Sequence, residues 1–187
     1  EHHGIDPRGI LRAVWNNVLS RNATGQGGST ITQQLARNAF LTQEQTLKRK
    51  LLEVVLALQI ENKYTKKQIL EMYMNQIYFG QGCYGIQTAS RVYFGKDVKD
   101  LTLPQCAMLA GLPNSPNYYS PFRSLEAAKY RQGIVLDQMA KYGYISEADA
   151  QAAKKADLHL AKPQAAKGTN STASYFISYV IQTISDK

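Results

Sequence analysis

Three features of the 187-residue chain predict a mainly α-helical fold. Apolar residues recur at three- and four-residue spacing through most of its length. Ser, Thr or Asp stands ahead of several such runs, in the position of a helix cap. The strand pattern, strict alternation of apolar and polar residues, is confined to short pieces near 91–94. Hydrophobic residues make up 44% of the chain and charged residues 19%, which places it among globular rather than disordered sequences. The length suits one domain with a sizeable core.

The elements follow in order. Asp6-Pro7 pairs an N-cap with proline at the first helical position and leads into Ile10, Val14 and Val18 at four-residue spacing. Residues 25–35, Gly-Gln-Gly-Gly-Ser-Thr-Ile-Thr-Gln-Gln-Leu, run from a glycine-rich loop into a helix. Thr30 and Gln33 read as a capping box there, and Ile31, Leu35 and Phe40 begin an apolar face. Residues 44–62 carry Leu47, Leu51, Val54, Val55 and Leu58 on one face, and residues 65–79 carry Ile69, Met72, Tyr73, Gln76 and Ile77. Thr102-Leu-Pro-Gln105 is a further capping box whose helix ends before Pro113. Ser124 opens a long helix through Ala128, Val135 and Met139 that Gly143 closes, and Ser146 opens one more. After Leu160 the composition turns to a polar linker, Lys-Pro-Gln-Ala-Ala-Lys-Gly-Thr-Asn-Ser-Thr, followed by the apolar, aromatic stretch from Tyr175 to Ile184.

Several functions are set aside by residue chemistry. Gly80-Gln-Gly-Cys-Tyr-Gly85 matches a dinucleotide fingerprint literally, but it follows a helix-length pattern and no acidic residue stands at the right distance. It reads as a tight connection between helices. Cys83 and Cys106 supply neither a disulfide framework nor zinc spacing, and His2, His3 and His159 form no metal constellation. Lys and Arg number 22 against 14 acidic residues, a formal charge of +8 that suits an anionic partner of some kind. No helix gathers those cations into one stripe, so a nucleic-acid partner is not expected.

Two places point to chemistry. The glycines at 25, 27 and 28 let backbone approach a ligand closely, and the helix start beyond them favours negative charge, with Arg37 two turns on. An ordinary loop-to-helix junction looks the same in sequence. Arg49 and Lys50 stand four and three residues before Glu53, so all three share one side of a helix. A solvated charged face and a ligand-steering carboxylate are both open readings at this point.

Taken together, Glu-His-His-Gly4, Gly27-Gly-Ser-Thr-Ile-Thr-Gln-Gln34, Arg49-Lys-Leu-Leu-Glu53, Lys67-Gln-Ile-Leu-Glu-Met-Tyr-Met-Asn75 and Tyr93-Phe-Gly-Lys96 resemble, in order, the five motifs of the peptidoglycan glycosyltransferases, glycosyltransferase family 51. That family includes the glycan-polymerising domains of class A penicillin-binding proteins and the monofunctional transglycosylases. The resemblance implies a lysozyme-like, mainly helical domain over residues 1–160, with a head lobe and a small membrane-facing jaw lobe. Residues 161–187 would then be a linker and a segment leading toward a transpeptidase domain. It implies polymerisation of lipid II with inversion at the donor anomeric carbon and release of polyprenyl pyrophosphate.

By the same resemblance, Glu53 serves catalysis and Ser29, Gln33, Arg37, Arg49, Lys50, Asn114 and Arg131 contact substrate. A divalent cation, Mg or Mn, is an expected cofactor, with Glu53 near it. The expected partners are lipid II, the growing glycan chain, the membrane surface and cell-wall synthesis proteins. The expected location is the extracytoplasmic face of the cell membrane, with an anchoring segment ahead of Glu1. The motif-one glutamate that acts as base is also expected ahead of Glu1, so residues 1–187 are expected to be inactive by themselves. Gln45 stands where many members carry arginine.

Overall fold

The computed structural model describes residues 4, 6, 28–40 and 46–162. The expected helix after Asp6, Gly25 and Gly27 of the loop, Gln45, and the linker and closing stretch from 163 onward lie outside them. Seven α-helices make up the described chain: α1 Ile31–Phe40, α2 Leu47–Lys63, α3 Lys66–Gln76, α4 Ile86–Phe94, α5 Leu103–Gly111, α6 Leu125–Lys141 and α7 Glu147–Lys155. Two 3-10 turns, Val98–Asp100 and Leu112–Asn114, flank α5. Extended pairing among the described residues is limited to a bridge between Tyr78 and Tyr84. The fold is mainly α, as the periodicity predicts.

Helix starts are set by side chains that take the orphan N–H groups of the first turn. Thr65 with Gln68 and Thr102 with Gln105 form reciprocal capping boxes on α3 and α5. Thr46, Ser124 and Ser146 accept from the third residue of α2, α6 and α7. Gln105 does a second job, because its Nε2 donates to the Leu158 carbonyl at 2.9 Å and ties the segment after α7 onto α5.

The helices pack as a chain of neighbours. α1 lies on α2 and α3, α3 meets α4, α4 meets α5, and α5 meets both α6 and α7. One core runs along this path through Leu35, Ile60, Ile69, Phe79, Tyr93, Met108, Leu109 and Leu112, and a smaller one joins Ala107, Leu136, Ala150 and Ala153. Burying each large side chain of this kind contributes about 1.5–3 kcal/mol.

The structure changes three expectations. Residues 91–94 are not a strand piece but the end of α4, whose Ala89, Ser90, Tyr93 and Phe94 are buried at helical spacing. On α1, Ile31 is exposed and the inward face is Thr32, Gln33, Leu35 and Ala36. On α2 the apolar face is turned outward. Leu51 is 69% exposed and Val55 50%, with Leu52 and Leu58 beside them, whereas Glu53, Ala57 and Ile60 face the interior. No helix among the described residues is long and apolar enough to cross a membrane.

The Gly80–Gly85 stretch is a connection, as read. Phe79 N–H donates to the Cys83 carbonyl at 2.9 Å and Gly85 N–H to the Ile77 carbonyl at 3.0 Å. Gly85 has φ +82°, and a Cβ there would lie 2.7 Å from the Asn75 carbonyl oxygen. Only glycine fits that close crossing. Tyr93 pins the connection by donating its hydroxyl to the Phe79 carbonyl at 2.9 Å.

Burial pushes the Tyr93 phenol up from 10 to about 12. Because the folded state holds this proton more tightly, its contribution to stability is full below pH 10 and is lost as the pH rises through 12. Denaturant midpoints measured across that window should therefore fall more steeply for the chain than for Tyr93→Phe. Parallel curves would show that Tyr93 is not the phenol responsible.

Candidate active site

The first two turns of α2 gather charge on the face that turns inward. With Thr46 capping the helix, Arg49, Lys50 and Glu53 project together at the i, i+3 and i+4 spacing. Glu53 is fully buried. Lys50 Nζ donates to its Oε2 at 2.9 Å, and Arg49 Nε lies 3.3 Å from its Oε1. A carboxylate taken out of water is costly unless it is paired, and removing a partner of a buried pair typically costs about 3–5 kcal/mol. The two cations are the reason Glu53 is tolerated inside.

Lys50 also reaches across to the start of α1. Its Nζ donates to Ser29 Oγ at 2.7 Å. An ammonium has three donors, and among the described residues Ser29 and Glu53 take two of them. The Lys50 side chain is 44% exposed, so the third faces accessible space beside a wholly buried carboxylate.

The α1 start is held from both sides. Gln33 N–H donates to Thr30 Oγ1 at 3.2 Å and Thr30 N–H to Gln33 Oε1 at 3.0 Å, which is the capping box expected from sequence. Thr30 Oγ1 donates in turn to the Gly4 carbonyl at 2.7 Å. Gly4 is buried with φ +84°, and a Cβ on it would come within 3.0 Å of Glu61 Cγ. The Glu-His-His-Gly motif therefore ends against α2, one hydrogen bond from the glycine-loop helix. Beside it, Thr32 donates to Glu61 Oε1 at 2.5 Å, and Lys66 pairs with Glu61 Oε2 at 2.7 Å.

Of the residues singled out in sequence, the structure brings Ser29, Arg49, Lys50 and Glu53 together. Gln33 is next to them but buried, with Oε1 engaged in the cap and Nε2 lacking a hydrogen-bond partner among the described residues. Arg37 sits one turn on, where its charge acts on Tyr73. Asn114 and Arg131 make no hydrogen bond or ion pair with this cluster among the described residues. Asn114 is exposed in the turn after α5. Arg131 runs along Gly111, where a Cβ would lie 2.9 Å from Arg131 Cγ, and its guanidinium lies 5.9 Å from the Tyr119 ring centre.

The surroundings of Glu53 do not fit a resident divalent cation. Both of its oxygens face cationic groups, and no group of three or more His, Cys, Asp or Glu among the described residues is arranged for a metal. Mg and Mn prefer several oxygen ligands, and one carboxylate flanked by two cations is the opposite arrangement.

Sequence reading passed over Gln34 and Tyr73. Tyr73 donates to Gln34 Oε1 at 3.1 Å, and Gln34 Nε2 donates to the Ser29 carbonyl at 3.4 Å. The available signal was the tandem Gln33-Gln34, since only the first of the pair can close the box.

A family model described as Transglycosylase matches residues 1–140. The chain belongs to the transglycosylase family. It is 44% identical to penicillin-binding protein 1F of Bacillus subtilis (strain 168) over 189 aligned positions, covering all of this chain and 26% of that protein. It is 51% identical to penicillin-binding protein 1A of Escherichia coli (strain K12) over 147 positions, covering 79% of this chain and 17% of that protein. A crystal structure of penicillin-binding protein 1A from Haemophilus influenzae overlays with a TM-score of 0.50 at 27% identity, covering 82% of this chain and 19% of that one. The chain thus spans about a quarter or less of these relatives. The mainly helical transglycosylase architecture agrees with the seven helices described above.

Thr30 is the joint on which this site closes. Thr30→Val keeps the shape and removes both the bond to Gly4 and the cap on Gln33, and should cost about 1–3 kcal/mol of stability. Thr30→Ser should restore most of it. Urea unfolding would check this, and a Val variant as stable as the chain would refute the joint.

Proposed function

We propose that this transglycosylase domain is a peptidoglycan glycosyltransferase that lengthens glycan strands from lipid II in bacterial cell-wall synthesis. The observation that carries the reading is Lys50, an ammonium with a donor to spare, held between Ser29 and a buried carboxylate. A pyrophosphate leaving group needs positive charge fixed in place before the bond breaks. Glu53 holds Arg49 and Lys50 in register, so they meet the developing charge without reorganising. Gln33 Nε2, a buried donor without a hydrogen-bond partner among the described residues, supports an acceptor in the same place. Arg37, Asn114 and Arg131 would contact substrate farther along the chain.

In this mechanism the 4-hydroxyl of the incoming sugar attacks the anomeric carbon of the growing chain, inverting it. The carbon–oxygen bond to the lipid pyrophosphate breaks, and the hydroxyl proton passes to the motif-one glutamate, which we place ahead of Glu1. A divalent cation would enter chelated to the pyrophosphate, as part of the substrate, since the residues around Glu53 do not fit a resident one. We further place the parent at the extracytoplasmic face of the cell membrane, anchored ahead of Glu1, continuing into a transpeptidase domain and working among other cell-wall synthesis proteins.

The lipid of the substrate requires the site to sit at a bilayer. The outward stripe Leu51, Leu52, Val55 and Leu58 lies on the same helix as Glu53, which supports docking of this face in the interfacial region of the membrane.

In the full-length parent, Glu53→Gln should lower the polymerisation rate on the order of 100-fold, as for loss of one electrostatic stabiliser. A rate within a few-fold of the parent's would remove Glu53 from the reaction. Separately, replacing Leu51, Val55 and Leu58 together by Ser should abolish co-sedimentation with anionic liposomes, with stability changed by about 0.5 kcal/mol or less per exposed site. Undiminished sedimentation would place the membrane contact on another face.

A further inference from the structure

We infer that Tyr73 and Gln34 are positioning residues for the pyrophosphate site, acting through Ser29 on Lys50. The inference rests on the function proposed above and adds to it two residues that lie behind the site. The hydrogen bonds form one continuous path. Tyr73 hydroxyl donates to Gln34 Oε1 at 3.1 Å, Gln34 Nε2 donates to the Ser29 carbonyl at 3.4 Å, and Ser29 Oγ accepts from Lys50 Nζ at 2.7 Å. Lys50 then reaches Glu53 Oε2 at 2.9 Å. The path crosses three helices, from α3 through the α1 start to α2.

Each link has a direction that its chemistry enforces. The Tyr73 ring is buried in the core where α3 meets α1. Burial raises the phenol above its ordinary value, offset in part by the charge of Arg37, so the hydroxyl stays protonated and remains a donor. A primary amide is the side chain that can accept from Tyr73 on one atom and donate to Ser29 on the other. Fixing the Ser29 carbonyl fixes the peptide plane between Ser29 and Thr30, and with it the backbone position from which the Ser29 hydroxyl reaches Lys50. Without that hydroxyl, Lys50 loses the partner that draws it toward α1 among the described residues. Its spare donor would then lose its aim at the phosphate.

A purely structural role for Tyr73 predicts something different, so the two can be separated. The measurement is calorimetric binding of farnesyl pyrophosphate to the chain of residues 1–187, with melting followed by circular dichroism in every variant. Tyr73→Phe keeps the ring and should weaken binding about five-fold, the size of one hydrogen bond's net contribution. In a Lys50→Ala background the same change should weaken it less than two-fold, because the residue it serves is gone. Gln34→Glu still accepts from Tyr73 but cannot donate to Ser29. It should behave like Tyr73→Phe, and it keeps the test open if the Phe variant folds poorly. An equal loss in both backgrounds, or no loss in either, overturns the inference and leaves the proposed function standing. No binding by the unsubstituted chain overturns both.

Discussion

Glu53 is a carboxylate with no contact with water, and the start of α2 is organised around it. Its negative charge is held inside by Arg49 and Lys50, which are neighbours on its own helix. That pairing is intrahelical, so it would exist in α2 by itself. What makes it a site is the third contact, from Lys50 to Ser29, because it joins α2 to the loop that begins α1. The same loop is tied to Gly4 by Thr30 and to α3 by Gln34 and Tyr73. Gly4 and α3, distant in sequence, therefore hold the loop from which Ser29 meets the Lys50 ammonium of α2. A flaw in any of them is felt as a change in where that charge points.

The other consequence is the orientation of α2. Its inward face at this end carries a glutamate, which has to be there for the cations, and its outward face carries leucine and valine. For a helix in water this is the reverse of the usual distribution. The reversal costs little if the outward face meets a bilayer, as the proposed function, with its polyprenyl-tailed substrate, requires. Under that proposal the polar site and the apolar stripe answer two requirements of one amphipathic substrate, on opposite sides of a single helix.

Much of this could be read from sequence, for identifiable reasons. The capping boxes at Thr30 and Thr102 are local, involving residues three apart, and these side chains have few other good uses. The Arg49, Lys50 and Glu53 face was equally local. What sequence hid was global. Helix α4 was missed because Val92, Tyr93 and Phe94 favour strands by propensity, and their burial against the Gly80–Gly85 connection decides the matter. Which way the apolar stripe of α2 points was not legible, because periodicity cannot say which side of a helix is covered. Tyr73 looked like a core residue and Gln34 had no assigned role, because their link to Ser29 spans helices.

The central claim is that Lys50, aimed by Ser29 and Glu53, is the group that receives the lipid pyrophosphate. A crystal structure of the chain with a polyprenyl pyrophosphate bound tests it most directly. The account predicts a phosphate oxygen within hydrogen-bond distance of Lys50 Nζ, with Glu53 still paired to Arg49. A pyrophosphate seated away from Lys50, with Lys50 still spanning Ser29 and Glu53, would contradict it.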